Sequence, residues 1–428
     1  MTRPAGRSRF VALAGVTAGP TARATFVSLI DQAIVSGASF ATTILVGRAG
    51  GEAELGVYAL AFSIVLLVVT LQDSLVSVPY TVFGNRLTSP ERAELAGSVL
   101  VHHAVLAVAS GLVFLIGWAA LAVLGPARHA PVALALSLMA PLWLLREFER
   151  QLAFAWLAVG TVLALDIVVA LLQLGGLAVA AIDGRLSAPH ALGIVGLASG
   201  LGGAVWLLRV RRRMVVRLRD ARDDLARHWA FGRWVAADQA TTILQGYGVH
   251  WILAVTLGVA ATGRFAAALT IVLVSNPIIL GLVNVLGPRA ATAWSEGGAR
   301  ELRRVVFKAT AFLALILVVL WALLMVFGGR IVTLVYGAEY EGLGGTVGVL
   351  ATAMLVWGAD VTAANGLRAM GRPEPNLHSA LVALVVTLVA AGFLGATSGL
   401  LGGAIGLLAG SAVRAAWRWA AFLRLSGR

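Results

Sequence analysis

Two carboxylates stand at matching places in stretches of the sequence that are otherwise apolar. Asp31 and Gln32 lie in SLIDQAIVSG, residues 28–37, and the triplet DQA returns with Asp238 and Gln239. An ionised Asp at mid-membrane costs roughly 2.5 to 3.5 kcal/mol on insertion scales, so such a residue usually faces a wet cavity or bonds a polar partner. The sequence therefore predicts a polar cavity site at this pair, or, as the alternative, bonds from each Asp to a helix of its own half.

Further ionisable residues interrupt the apolar runs. Most of them lie towards one end of the predicted helices. They are Asp73, Arg146, Glu147, Glu149, Arg150, Asp166, Asp360 and Arg368. In LLREFERQ, Arg146 and Arg150 are four residues apart and share a helix face with acidic neighbours. The cluster either satisfies itself, or Arg146, Arg150 and Arg368 offer a fork for the oxygens of a pyrophosphate. Asp73 and Asp360 are assigned to the cavity with the DQA residues.

Other chemistry is excluded or disfavoured by composition. The chain has no cysteine, which excludes thiol and zinc–thiolate sites. The pair His102 and His103, and His250, lack a second ligand at suitable spacing, so no metal site is predicted. No cofactor is predicted either.

The elements that must position these residues are membrane helices. Hydrophobic residues make up 59% of the 428 and charged residues only 12%, whereas soluble domains carry about 25% charged residues. Runs long enough to cross about 30 Å of hydrocarbon predict twelve spans. In chain order, spans 1 to 12 are 24–46, 56–83, 97–122, 131–155, 160–182, 189–208, 235–257, 264–288, 308–328, 342–367, 376–396 and 400–422.

The positive charge predicts which side each connection faces. With both termini in the cytoplasm, only five of the 33 Lys and Arg fall on outer connections: Arg48, Arg128, Arg185, Arg264 and Arg330. The net charge of +13 is thus explained by topology, and no nucleic-acid partner is predicted. We expect a multi-pass protein of the plasma or inner membrane, with a cytoplasmic N-terminal segment 1–23 and a cytoplasmic tail 423–428.

The chain also contains an internal repeat. At an offset of 207 residues the DQA triplets coincide, and LGVYALAFSIVL (55–66) falls on TGRFAAALTIVL (262–273) without a gap. We predict an N-lobe, 24–208, and a C-lobe, 235–422, joined by a basic helix, 209–234, that suits anionic headgroups or serves as a solvated linker. Six spans per lobe make the two lobes parallel, with the repeat axis along the membrane normal.

Three stretches carry a resemblance to a known family. GEAELGVYALAFSIVLLVVTLQDSLVSVPYTVF (51–83), IVTLVYGAEYEG (331–342) and NGLRAMGRPEPN (365–376) resemble the polysaccharide flippases, of O-antigen or teichoic-acid type, of the multidrug/oligosaccharidyl-lipid/polysaccharide (MOP) superfamily. The resemblance implies an all-α integral membrane protein with a MATE/MOP-like, V-shaped pair of six-helix lobes. It also implies alternating-access transfer of an undecaprenyl-pyrophosphate-linked glycan to the outer leaflet, for cell-surface polysaccharide biosynthesis.

The resemblance gives the predicted sites and partners a context. Asp31 and Asp238 suit sugar hydroxyls, or a coupling proton or sodium ion, better than a phosphate. The implied partners are the polyprenyl-linked glycan, membrane lipids, and a polysaccharide polymerase or glycosyltransferases. A proton- or sodium-coupled multidrug or small-molecule exporter of the same superfamily is the alternative. An enzyme is not expected, because the outer connections are short and their acidic pairs suit solvated loops.

Overall fold

The computed structural model describes residues 20–84, 87–125 and 129–427, and these residues are almost entirely helical. Most of the predicted N-terminal segment, and the outer Arg128, lie outside the described residues. The long helices are Pro20–Gln72, Ser89–Val123, Ala130–Ala155, Val159–Ile182, Ala188–Val210, Leu218–Thr256, Val259–Val272, Asn276–Tyr336, Gly344–Ala369 and Glu374–Ser426. A π-helical turn, Asp73–Ser77, and a short helix, Val78–Gly84, continue the first helix to the end of span 2.

Three of these helices are divided at a glycine. Gly51, Gly298 and Gly399 have φ values of 84°, 62° and 64°, in the left-handed region that glycine adopts without steric cost. The helices that they divide have 53, 61 and 53 residues, far more than the roughly 20 that one crossing needs. Val259–Val272 continues through a 3₁₀ turn, Leu273–Ser275, into the first part of Asn276–Tyr336. With that continuation and the three divisions, the described residues form twelve helical segments in the order of the predicted spans.

The predicted linker continues directly into span 7. After a short turn at Arg211–Arg213, one helix runs from Leu218 to Thr256 without interruption. Its first turns pack against the N-terminal half, where a Cβ on Gly232 would lie 2.2 Å from the backbone oxygen of Ser74. The linker is therefore an extension of span 7 that lies against spans 2 and 3.

The two halves meet in a reciprocal contact that the repeat explains. A Cβ on Gly56 would lie 2.0 Å from the backbone oxygen of Val259, and a Cβ on Gly263 would lie 1.8 Å from that of Glu52. Gly56 and Gly263, like Glu52 and Val259, are related by the 207-residue offset. Such an exchange is expected on a two-fold axis between parallel repeats.

The buried core shows where the halves are joined. We call the end of the bundle that holds Pro20 and Ser426 the base, and the opposite end the apex. Near the apex one continuous core contains residues of both halves, including Leu55 and Phe265. At the base the cores are separate, with Phe148 in that of the N-terminal half and Phe422 in that of the C-terminal half. The halves are therefore fused at the apex and apart towards the base.

Candidate functional site

A central cavity lies between the halves below the apical contact. Its volume is about 550 Å³, and its wall is formed by spans 1, 2, 7 and 8. Aromatic rings and small polar groups line it, among them Ser39, Thr43, Tyr58, Tyr247 and Asn276. Among the described residues in this wall there is no Asp, Glu, Lys or Arg. The cavity can thus accept hydroxyl groups and apolar surface without presenting a formal charge.

Polar contacts between the halves close the apex above the cavity. Arg48 donates to the backbone oxygens of Leu334 and Val335, both at 3.1 Å. The Tyr340 hydroxyl donates to the backbone oxygen of Gly47 at 3.0 Å. Arg264 lies 3.8 Å from the carboxylate of Glu52 in the other half. These contacts and the fused apical core close the apical side of the cavity. The cavity therefore faces the base.

The N-terminal half contains a buried ion cluster beside this cavity. Arg146 donates to Oδ1 of Asp166 at 2.7 Å, and Arg150 pairs with Oδ2 of the same Asp. Arg150 also donates to Oδ2 of Asp31 at 3.2 Å. Glu149 is buried as well, and one of its carboxylate oxygens has no hydrogen-bond partner. Three buried carboxylates therefore share two guanidinium groups, and the cluster is acidic overall.

A small side pocket connects the cluster with the central cavity. It has a volume of about 90 Å³ and is lined by both Arg146 and Asp166. Ser39, Tyr58 and Phe62 line this pocket and the central cavity alike. Asp166 therefore lines a pocket that borders the central cavity.

The two repeat-related Asp residues lie in unlike surroundings. Asp31 is 1% exposed and bonds Arg150, whereas Asp238 is exposed near the base. Gln32 donates to Ser36 of its own helix at 3.1 Å, and Gln239 is half-buried. In this conformation neither Asp belongs to the wall of the central cavity.

The remaining predicted residues divide between the two halves. Asp73 is half-buried in the π-helical turn of span 2, with one carboxylate oxygen unpartnered. Asp360 is fully buried in span 10, and Arg368 is exposed at the end of that span. Arg146 and Arg150, expected as a fork for pyrophosphate, are paired with Asp166 and do not join Arg368. In this conformation the two arginines therefore bond a carboxylate of their own half, which was the alternative to a pyrophosphate fork.

A second buried cluster lies in the C-terminal half around the predicted Asp360, and its two arginines, Arg414 and Arg418, were not among the predicted site residues. Asp360 accepts from Arg418 at 2.8 Å and lies 2.9 Å from Nε of Arg414. Arg414 also donates to the side-chain oxygen of Gln245 at 2.5 Å. The signal was available in SAVRAAWRWAAFLR, residues 411–424, where two arginines four apart share one face of span 12.

This second cluster also borders a cavity. A pocket of about 250 Å³ is lined by Gln245, Ser411 and Arg414. It shares Tyr247, Leu273 and Asn276 with the wall of the central cavity. The central cavity therefore borders a pocket lined by the ion pair of Arg146 and Asp166 in one half and a pocket lined by Arg414 in the other.

An apolar groove is lined by side chains of spans 8 and 9. It has a volume of about 680 Å³, and side chains such as Leu282, Val285 and Phe312 line it. Two exposed cations, Arg289 and Lys308, stand at its base end. A groove of this kind fits a hydrocarbon chain that carries an anionic group at the membrane surface.

The linker is held to the N-terminal half by an aromatic cluster. The His228 ring is fully buried and lies against Phe83 and His102. Burial, followed by the neighbouring His102, lowers the pKa of His228 from 6.5 to about 4. Nε2 of His102 donates a further hydrogen bond to the backbone oxygen of Ala221 at 2.7 Å. Docking of the linker therefore favours the neutral form of His228.

Comparison with known proteins supports the fold. The sequence matches no family model, and no curated protein is significantly similar to it. Solved structures do match. An inward-facing multidrug resistance MATE family transporter of the MOP superfamily has a TM-score of 0.76 at 16% identity, covering 91% of this chain and 94% of that one. An outward-facing structure of such a transporter has a TM-score of 0.70 at 17% identity, covering 99% of both chains.

A third similar structure extends the comparison. A MOP superfamily transporter from Pyrococcus furiosus, described by a binding pocket of reversed polarity that suggests a different function, has a TM-score of 0.70 at 17% identity over 99% of both chains. Identities this low establish the fold alone. The described residues of the chain are almost entirely helical and have the same fold as these MATE transporter structures, which confirms the predicted fold class.

Proposed function

We propose that this protein is a flippase that carries a polyprenyl-pyrophosphate-linked oligosaccharide between membrane leaflets by alternating access. The observation that carries the proposal is the pairing of a glycan-compatible cavity with an apolar groove that ends in two cations. An amphiphile needs both features, since its sugars must cross while its tail stays in lipid. The proposal does not require an enzymatic step.

The cavity suits the sugar part of such a substrate. Ligand pockets commonly measure about 300–1,000 Å³ and combine apolar walls with a few fixed polar groups. Here the rings of Tyr58, Phe62 and Tyr247 stand beside Ser39 and Thr43 in a volume of about 550 Å³. Aromatic faces can stack on sugar rings while the hydroxyl groups exchange hydrogen bonds.

The groove suits the lipid part. Its wall is apolar except at the base end, where Arg289 and Lys308 are exposed. If the base faces the cytoplasm, as the distribution of Lys and Arg predicts, these cations meet the headgroup region of the inner leaflet. A prenyl chain could lie in the groove while its headgroup enters the cavity from the base side.

The acidic cluster supports coupling to a cation. Asp31, Asp166 and Glu149 outnumber the two arginines beside them, and the side pocket reaches Asp166. A bound proton or sodium ion would neutralise the excess carboxylate. Release of that ion would change the packing between spans 1, 4 and 5. Binding and release of the ion would thereby shift the equilibrium between conformations.

A coupled multidrug exporter is the second candidate. It is favoured by the similarity to multidrug resistance MATE transporters and by the same acidic cluster. The two functions differ in what the groove and its cations would contribute. An exporter of soluble drugs has no need of a tail groove, whereas a flippase depends on Arg289 and Lys308.

The proposal is tested in proteoliposomes with a fluorescent lipid-linked oligosaccharide on a short prenyl chain, and with a cationic dye in a parallel set. The flippase reading expects the glycan to become accessible to an enzyme on the opposite side, and no dye gradient. Replacing Arg289 and Lys308 with Gln should slow this transfer, while Arg304→Gln, an exposed cation elsewhere on span 9, should not. Dye transport without glycan transfer contradicts the proposal and supports the exporter.

The partners follow from the same proposal. A lipid-linked glycan is made and later consumed by other proteins, so we expect glycosyltransferases at the side that loads the substrate and a polysaccharide polymerase at the side that receives it. Leaflet-resolved detection of the lipid-linked oligosaccharide in cells lacking the protein is the matching cellular test. Accumulation on the loading side is expected.

A further inference from the structure

The cluster in the C-terminal half contains more positive than negative charge. Arg414 and Arg418 have side chains that are 6% and 9% exposed, and both share the single carboxylate of Asp360. Arg418 also bonds Ser379 and the backbone oxygen of Asn376, which are neutral. Two further charges lie within electrostatic range, Arg368 and Asp238, and their signs cancel. One positive charge therefore remains uncompensated among the described residues.

An uncompensated buried charge is costly. Moving an ion out of water costs several kcal/mol even after relaxation, and one buried partner does not neutralise two cations. Natural proteins retain such an arrangement where a ligand supplies the missing charge. The missing partner for this cluster must be an anion.

The geometry shows where an anion would sit. Arg414 lines the pocket of about 250 Å³ together with Gln245 and Ser411. That pocket adjoins the central cavity, with which it shares the lining residues Tyr247, Leu273 and Asn276. Guanidinium groups bind phosphate oxygens through paired N–H donors. An anion bound in this pocket would thus contact Arg414 and lie next to the central cavity.

We propose that this pocket is a binding site for a phosphate or pyrophosphate group, with Arg414 as its direct ligand and Arg418 as the residue that holds Asp360 in place. The inference rests on the proposed function for its substrate and names the part of the headgroup that the C-terminal half holds. It transfers the expected pyrophosphate contact from Arg146 and Arg150 to span 12. The N-terminal half would then bind the coupling cation at its acidic cluster, and the C-terminal half would bind the headgroup at Arg414.

The decisive variant is Gln245→Glu. It keeps the size of the side chain and places a second carboxylate against Arg414, so it supplies the missing charge and should fold well. Arg414→Gln removes the ligand itself. Arg424→Gln, an exposed cation on the same helix, is the matched control.

Binding is measured on the full chain in nanodiscs, with inorganic pyrophosphate in one arm and farnesyl pyrophosphate in the other. We expect Gln245→Glu and Arg414→Gln to weaken binding by about tenfold or more, as loss of a buried charged partner does, and Arg424→Gln to bind normally. Binding of both compounds would show that the phosphate group is sufficient for recognition. Binding of farnesyl pyrophosphate alone would show that the site recognises a lipid headgroup. Binding in neither arm, or equal binding by Gln245→Glu and the unaltered chain, overturns the site.

The outcome is separable from that of the proposed function. If the protein transfers lipid-linked glycan but binds pyrophosphate equally with and without Gln245→Glu, the site is overturned and the flippase proposal stands. If pyrophosphate binds as expected but no lipid-linked glycan is transferred, the site stands and the flippase proposal fails. Thermal unfolding of each variant in detergent shows whether a loss of binding reflects a loss of fold.

Discussion

At the residue scale, the two halves use the same residue types for opposite charge balances. Asp166 accepts from both Arg146 and Arg150, and Asp31 adds a second carboxylate to Arg150. In the other half Asp360 alone serves two arginines. The polarity of each half therefore depends on a few side chains, and single substitutions should have large effects.

Asp166→Asn tests the N-terminal cluster. The change removes the carboxylate to which Arg146 donates and one of the two that bond Arg150, and breaking a buried pair typically costs about 3 to 5 kcal/mol. We expect a clear loss of thermal stability in detergent. Asp183→Asn, at an exposed position, is the control, and equal unfolding temperatures for the two variants would show that the cluster does not stabilise the fold.

The charged residues of the two clusters could be predicted from the sequence more fully than the residues with which they pair. Asp31, Arg146, Arg150 and Asp360 were recognised because charges are rare in apolar runs. Their partners come from other spans. The spacing of residues along one helix does not show which residues of another helix they contact. Arg414 was passed over because a basic residue near the end of a span also satisfies the rule for cytoplasmic charge.

At the element scale, glycines decide how closely helices approach. Gly56 and Gly263 permit backbone contact between spans 2 and 8 at the apex. The repeat at offset 207 was visible in the sequence, and so were the spans. The contact itself was not, because glycine is also common in membrane helices without such a role. Gly175, which has open space around it, illustrates that ambiguity.

Gly263→Val tests the apical contact. A side chain there must displace the backbone of Glu52, so we expect the apex to open more often. The chain has no cysteine, and Ser39→Cys in the cavity wall provides a single reporter. A membrane-impermeant thiol reagent added on the apical side should label it several times faster in the Gly263→Val background. Gly175→Val should leave labelling unchanged, and an unchanged rate in Gly263→Val would contradict the contact.

The linker helix gives a prediction for pH. Because the pKa of His228 falls from 6.5 to about 4 on docking, the undocked state binds the proton more tightly. Docking is therefore at full strength above about pH 6.5 and weakens as the pH falls towards 4. His102 opposes the added charge, Asp224 favours it, and Arg227 opposes it more weakly.

Replacing His228 with Phe should remove this dependence. The aromatic contact with Phe83 is kept, and the loss of docking on acidification, on the order of 1–2 kcal/mol after solvent screening, should disappear. Limited proteolysis at the arginines of the linker between pH 7 and pH 5 measures it. His378→Phe, at an exposed position, should cleave like the unaltered chain, and a pH dependence that persists in His228→Phe would exclude this histidine as its source.

At the scale of the whole molecule, the two halves share a fused core at the apex and have separate cores at the base. The match to an inward-facing MATE structure, with a TM-score of 0.76, agrees with that description. The twelve spans followed from hydropathy, and the parallel halves from the repeat. The conformational state could not be predicted, because a single sequence encodes both the open and the closed apex.

The most direct measurement is transfer of a lipid-linked oligosaccharide by a chain whose apex can be locked. Glu52→Cys with Arg264→Cys places two thiols where side chains of opposite halves lie 3.8 Å apart. Joined by a short reducible cross-linker, this variant should stop transfer in proteoliposomes and regain it on reduction, while each single cysteine variant remains active. Undiminished transfer by the cross-linked protein would contradict passage through the central cavity.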